Sequence, residues 1–126
     1  MATIKHVEDI NVYQDSMGLV TKFFKLAYTN NNFKKEFSLT DQLKRCVVSI
    51  PSNISEGFER DTKKEFIRFL YISKGSCSEF KTQITICKNL NLITEEEYKG
   101  LFSEADKILK QLGSFIKYLK NSKLAS

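Results

Sequence analysis

Proline and glycine are scarce in this chain, with one proline and five glycines in 126 residues. All-β domains usually need more turn residues than that, so the shortage points towards helices. Histidine is scarcer still. The only one, His6, precedes the first helical pattern and reads as an exposed tail residue. A di-iron bundle would need Glu-x-x-His pairs, and the sequence has none. Zinc would need clustered Cys and His, whereas Cys46, Cys77 and Cys87 lie far apart and lack a fourth ligand. A Ser–His or Cys–His nucleophile would require His6 to reach in from the N-terminus. The stretch "GSCSEF" is no phosphate loop, because it has neither repeated glycines nor a following Gly-Lys. The expectation is a protein with no catalytic residue, no metal and no cofactor, and not an enzyme.

Long apolar runs are missing as well. None approaches the roughly 18 residues of a membrane span, so no membrane partner is expected. The opening "MATIKHVEDINVYQ" carries no apolar signal region and no cleavage pattern. The cysteines are odd in number and fall in apolar helical patterns. They read as reduced, buried thiols of a cytosolic protein, which gives a cytoplasmic expectation.

What is present fits one domain over residues 1–126. A chain of this length buries roughly two thirds of the surface its unfolded form exposes. The formal charge of +5 permits an anionic partner such as RNA or DNA without requiring one. The excess is nearly zero through residue 60. It lies in residues 61–126, interleaved with Asp and Glu.

Four segments open with cap signatures: "NVYQ" at Asn11, "SLTD" at Ser38, "TKKE" at Thr62 and "TEEE" at Thr94. The two beginning with Thr match a capping box in full. The "EEE" run is a helix start favoured by the dipole, not a carboxylate site. Apolar periodicity follows each cap. The first helix carries Tyr13, Met17, Val20, Phe24 and Ala27, widened by Val12, Leu19, Phe23 and Leu26. The second carries Leu39, Leu43, Val47, Ile50, Ile54 and Phe58. The third alternates four and three through Phe66, Leu70, Ser73, Cys77, Phe80, Ile84 and Cys87. The fourth carries Tyr98, Leu101, Ala105, Ile108, Leu112, Phe115 and Leu119. Four amphipathic helices, at about 11–29, 39–59, 62–91 and 94–121, describe an all-α, antiparallel up-down four-helix bundle.

Pro51 falls inside the second helix. It cannot donate to the carbonyl of Val47, and its ring crowds that carbonyl. Because the apolar phase passes from Val47 through Ile50 to Ile54 without a slip, a kinked helix is favoured over a break and restart. Polar residues keep phase too. Gln42, Arg45, Ser49, Asn53, Glu56 and Arg60 share one strip of this helix, away from the apolar one. The third helix has a comparable row of Glu65, Arg68, Ser76, Glu79 and Gln83 beside Gly75. A mid-helix glycine often marks close approach of another backbone. One reading is a solvated face with pairs such as Glu56–Arg60. The other has the strips meet each other or a neighbouring subunit, with Arg45 pairing Glu79 or Glu56.

The segments "NVYQDSMGLV", "LTDQLKRCVVSIPSNISEGFER" and "EFIRFLYISKGSCSEFKTQI" closely resemble the bacterial four-helix-bundle family of rRNA intervening-sequence proteins, often labelled ribosomal protein. The shared pattern is Gln-x-x-Arg-x-x-x-Ser-Ile-x-x-Asn-Ile-x-Glu-Gly-x-x-Arg, met here by Gln42, Arg45, Ser49, Ile50, Asn53, Ile54, Glu56, Gly57 and Arg60. The following Gly-Ser-x-x-Glu is met by Gly75, Ser76 and Glu79. Two positions depart from the pattern. Lys44 stands where arginine is common, and lysine cannot make the same bidentate fork. Ser55 stands where alanine is usual. The resemblance implies a bundle that often assembles as a ring-shaped homopentamer. Related accessory proteins of diversity-generating retroelements bind nucleic acid and a reverse transcriptase.

Two binding readings follow. A homo-oligomeric bundle would bind nucleic acid, RNA first, through Lys44, Arg45, Lys63, Lys64, Arg68 and Lys81. Backbone recognition is expected, because most aromatic residues sit on core stripes. The alternative is a scaffold that docks a protein partner on the ring.

Overall fold

The computed structural model describes residues 4–122. A short 3-10 turn at Val7–Asp9 leads into α1 (Asn11–Thr29), α2 (Asn31–Lys35), α3 (Phe37–Phe58), α4 (Lys63–Asn89) and α5 (Glu95–Asn121). No strand occurs among the described residues, and the four long helices pack as a bundle in the cyclic order α1, α3, α4, α5. Side-chain pairings fix the direction of each neighbour. Gln42 meets Gln83 and Ser49 meets Ser76 between α3 and α4. Lys63 meets Ser122 and Lys81 meets Asp106 between α4 and α5. Asp15 meets Gln111 and Lys22 meets Glu104 between α1 and α5. In each pair an advance along one helix is a retreat along the other, so the neighbours are antiparallel.

The helix starts divide the cap signatures. Thr94 forms the full box: its amide donates to Glu97 Oε1 at 2.9 Å, and its hydroxyl accepts from the Glu97 amide at 3.0 Å. Thr62 forms half of one. Its hydroxyl accepts from the Glu65 amide at 3.2 Å, while the Glu65 carboxylate turns outward to Arg68. Asn11 and Ser38 are not caps. α1 starts from Ile10 and α3 from Glu36, neither with a side-chain cap bond. Between the first two helices expected from the sequence, at about 11–29 and 39–59, the chain forms α2. Asn30 caps it by accepting from the Asn32 amide at 2.8 Å, and Phe33 is buried against Phe23 with ring centroids 5.7 Å apart. At the same end, Asn91 adopts a left-handed φ of 59°, and the Leu92 amide donates back to Cys87 O. Asparagine tolerates this conformation better than most residues. Asn30 and Asn32 both donate to Leu92 O, tying the two loops together.

The core follows the expected stripes on α3, α4 and α5. On α1 it is rotated. Val12, Ser16, Leu19, Phe23 and Ala27 are buried, whereas Met17 is 42% exposed and Tyr13, Val20 and Phe24 are flanks. Ser16 accounts for the shift: its hydroxyl donates to Tyr13 O at 2.8 Å, so a polar residue sits inside without an unmet bond.

α3 runs through Pro51 unbroken, and the proline is buried. Beside it, Ser73 of α4 donates to Ile50 O at 2.8 Å. The close approach of two helices falls at Gly57, not at Gly75. A Cβ at Gly57 would stand 2.7 Å from Phe69 Cβ and 3.0 Å from Phe66 Cδ1, whereas one at Gly75 would meet nothing within 4 Å.

Candidate functional site

The two polar strips meet along part of their length. Ser49 and Ser76 share a hydroxyl bond of 2.8 Å, and Asn53 donates to Ser49 Oγ and to Ser49 O, both at 2.8 Å. The Cys46 thiol donates to Ser76 O at 2.9 Å. Gln83 is buried and donates to Glu79 Oε1 at 3.2 Å and to Gln42 Oε1 at 3.4 Å. These bonds form a polar seam between α3 and α4, with Gly75 open beside it.

The ion pairs of the strips do not cross the seam. Arg45 pairs with Asp41 at 2.9 Å, not with Glu79 or Glu56, and its side chain is 80% exposed. Arg60 pairs with Glu56 at 2.6 Å within its own strip. Pairs one turn apart on the same helix are the cheaper arrangement in entropy, because only one backbone positions both partners. The guanidinium groups of Arg60 and Arg68 also lie 4.8 and 4.7 Å from the Phe69 ring centroid. Here Arg68 is held by Glu65, which keeps its carboxyl below its ordinary range through that hydrogen bond.

The six candidate phosphate contacts are not gathered into one patch. Lys44 leans over Phe24 and Tyr28 on the α1 side. Arg45 and Arg68 are on the α3–α4 side with their own carboxylates. Lys63 donates to Ser122 O towards α5, and Lys64 is exposed in the first turn of α4. Lys81 is half-buried against α5, 2.8 Å from Asp106 and 4.8 Å from the Phe102 centroid.

Lys81 has companions that the earlier set omits. Lys74 and Lys88 stand seven residues either side of it, a spacing that keeps all three on the face of α4 turned to α5. Lys88 lies over Tyr98 at 4.7 Å, and Lys74 reaches Gly113. Opposite, Lys120 of α5 donates to the Tyr71 hydroxyl at 2.7 Å. The seven-residue repeat was the available signal.

Chemistry at the cysteines is quiet. Burial, with a smaller contribution from Glu79, pushes the Cys46 thiol up to about 12. Burial likewise carries Cys77 and Cys87 to about 11. Among the described residues no group of three or more His, Cys, Asp or Glu is placed to hold a metal ion. A cleft of about 790 Å³ lies between the N-terminal turn and α5 and is lined by Ile10, Val12, Phe115, Lys107, Lys110 and Gln111. It contains none of the polar-strip residues or candidate phosphate contacts named from the sequence. No helix among the described residues is long and apolar enough to cross a membrane.

Residues 8–114 match the family model for the 23S rRNA-intervening sequence protein. No curated protein matches the sequence. Among solved structures, the chain is similar to a protein of unknown function from the S23 ribosomal protein family of Bacteroides thetaiotaomicron. The TM-score is 0.79 at 27% identity, covering 84% of this chain and 98% of that one. The helices, the polar seam and a match spanning most of the sequence lead to one conclusion: the chain belongs to the 23S rRNA-intervening sequence protein family.

Proposed function

We propose that this protein is a non-catalytic, cytoplasmic binding protein that assembles with copies of itself and whose ligand is RNA. The observation that carries the RNA reading is the sorting of charge on α4. Its two acids, Glu65 and Glu79, are on the α3 side, and Lys74, Lys81 and Lys88 face α5. Sorting of this kind gives one face a field that draws polyanions. Self-assembly is supported at the seam. Gly75 stands open in mid-helix, and the exposed Ile72 of α4 and Val48 of α3 are near its level. A glycine there costs about 1 kcal/mol relative to alanine with no intrachain return, a cost that a close-packed second copy would offset. The family resemblance implies five copies.

Anisotropy of a labelled, structured RNA across salt concentrations tests the reading, with light scattering for the assembly. Binding should weaken linearly in log–log form. Absence of binding at low salt would overturn the RNA reading. The scaffold reading rests on the same open seam, and it gains if the protein is monomeric alone and the seam captures a different chain.

A further inference from the structure

Six lysines lie along the face between α4 and α5. On α4 the row is Lys74, Lys81 and Lys88. On α5, Lys110, Lys117 and Lys120 run beside it. Beyond the first turn of α5, the only acids on that helix are Glu104 and Asp106. Glu104 turns to Lys22 on α1, whereas Asp106 stands among these lysines. Lys81 and Lys110 both hold it, at 2.8 and 3.1 Å.

Three features decide what polyanion suits this face. The row on α4 is straight and regular, with about 10 Å between successive lysines at 1.5 Å per residue, and a second row parallel to it one helix spacing away. Every charge in it is a lysine. An ammonium meets phosphate as a point charge, whereas the planar fork that reads base edges belongs to arginine. The aromatic rings on the face are covered: Lys81 lies over Phe102, Lys88 over Tyr98 and Lys120 over Tyr71. Rings capped by ammonium groups offer no platform on which splayed bases can stack, and such stacking is how single strands are usually held.

From this we infer that the α4–α5 face takes the sugar–phosphate backbone of a double-helical nucleic acid, read by charge and shape and not by sequence. The inference rests on the RNA-binding reading above and names the class of RNA and the surface. It replaces most of the six residues picked from the sequence, keeping Lys81 and adding neighbours that those six leave out.

The test is anisotropy titration with three probes: a duplex RNA, its separated single strand, and phosphatidylserine vesicles. The protein is the full chain and a variant carrying Lys74→Gln, Lys110→Gln and Lys117→Gln. A control carries Lys25→Gln, Lys34→Gln and Lys35→Gln, on α1 and α2. Duplex should bind more tightly than single strand or vesicles. The triple variant should lower the log–log salt slope by about 2 to 3, since each phosphate contact contributes about 0.9, and weaken binding at least about tenfold. The control should match wild type. Asp106→Asn should tighten duplex binding several-fold, which keeps a readout if the triple variant folds poorly. Preference for single strand or vesicles, or a triple variant that behaves like the control, would overturn the inference and leave the RNA reading standing. Binding to none of the probes would overturn both.

Discussion

Replacing Gly57 by alanine should destabilise the bundle, although helix propensity alone argues the other way. Alanine is favoured over glycine in a helix by up to about 1 kcal/mol, less near a helix end. The added methyl would stand 2.7 Å from Phe69 Cβ, 3.0 Å from Phe66 Cδ1 and 3.2 Å from Phe66 O. Two of these three atoms sit at or next to the backbone, so no flexible tip can move aside. Overpacking of this kind costs about 1–3 kcal/mol, because α3 and α4 must separate at their junction. Phe66 also packs on Phe58 and Phe115, with centroids 6.1 and 5.6 Å away, so the disturbance reaches α5. The net expectation is a loss of about 1–2 kcal/mol, or roughly 4–8 °C in melting temperature for a chain of this size. Urea and thermal unfolding followed by circular dichroism give the number, at two protein concentrations so that any assembly term separates out. Gly75→Ala is the matched comparison. Its Cβ meets nothing within 4 Å, so its unfolding midpoint should hold or rise at low concentration. A Gly57→Ala protein as stable as wild type would refute the close-approach argument.

Other outcomes follow from the same geometry. Phe33→Ala should cost about 3–5 kcal/mol by urea unfolding, because Phe33 is the buried plug of α2 on Phe23. Hydrogen bonds from Lys81, then Lys110, hold the Asp106 carboxyl below its ordinary range. Its contribution is therefore present above the ordinary pKa and lost as pH falls through the lowered one. Asp106→Asn should flatten acid unfolding curves in that window. Burial raises the three thiols from the ordinary 9.0 to about 11 or 12, so stability should be complete below pH 9 and fall as pH climbs towards 11–12. Thiol-reagent labelling of the native protein at pH 8 should be slow and accelerate on unfolding; fast labelling of all three would contradict their burial.

Legibility in the sequence tracked how strictly a pattern was kept. α4 was readable because Leu70, Ser73, Cys77, Phe80, Ile84 and Cys87 alternate three and four without exception, and all are buried. α1 was misplaced by one strip because its centre contains Ser16, whose polarity hides its burial. Asn11 and Ser38 resemble caps in type, but capping belongs to the residue just before the first helical one, and Ile10 and Glu36 hold those places. α2 is too short for periodicity to register. At the seam, Ser49 and Ser76 meet, while Arg45, Glu56 and Arg60 settle on partners one turn away. Long flexible side chains reach several partners, so their strip position does not choose among them. The lysine rows escaped notice because interleaved acids cancel them in a linear count, and only the packing of α4 on α5 separates the signs.

Lysine footprinting tests the central claim most directly. The protein is acetylated with and without saturating duplex RNA, and each site is quantified by mass spectrometry. The account predicts protection at Lys74, Lys88, Lys110, Lys117 and Lys120, with Lys25, Lys34 and Lys35 modified equally in both samples. Protection spread evenly over all lysines, or confined to α1 and α2, would contradict it.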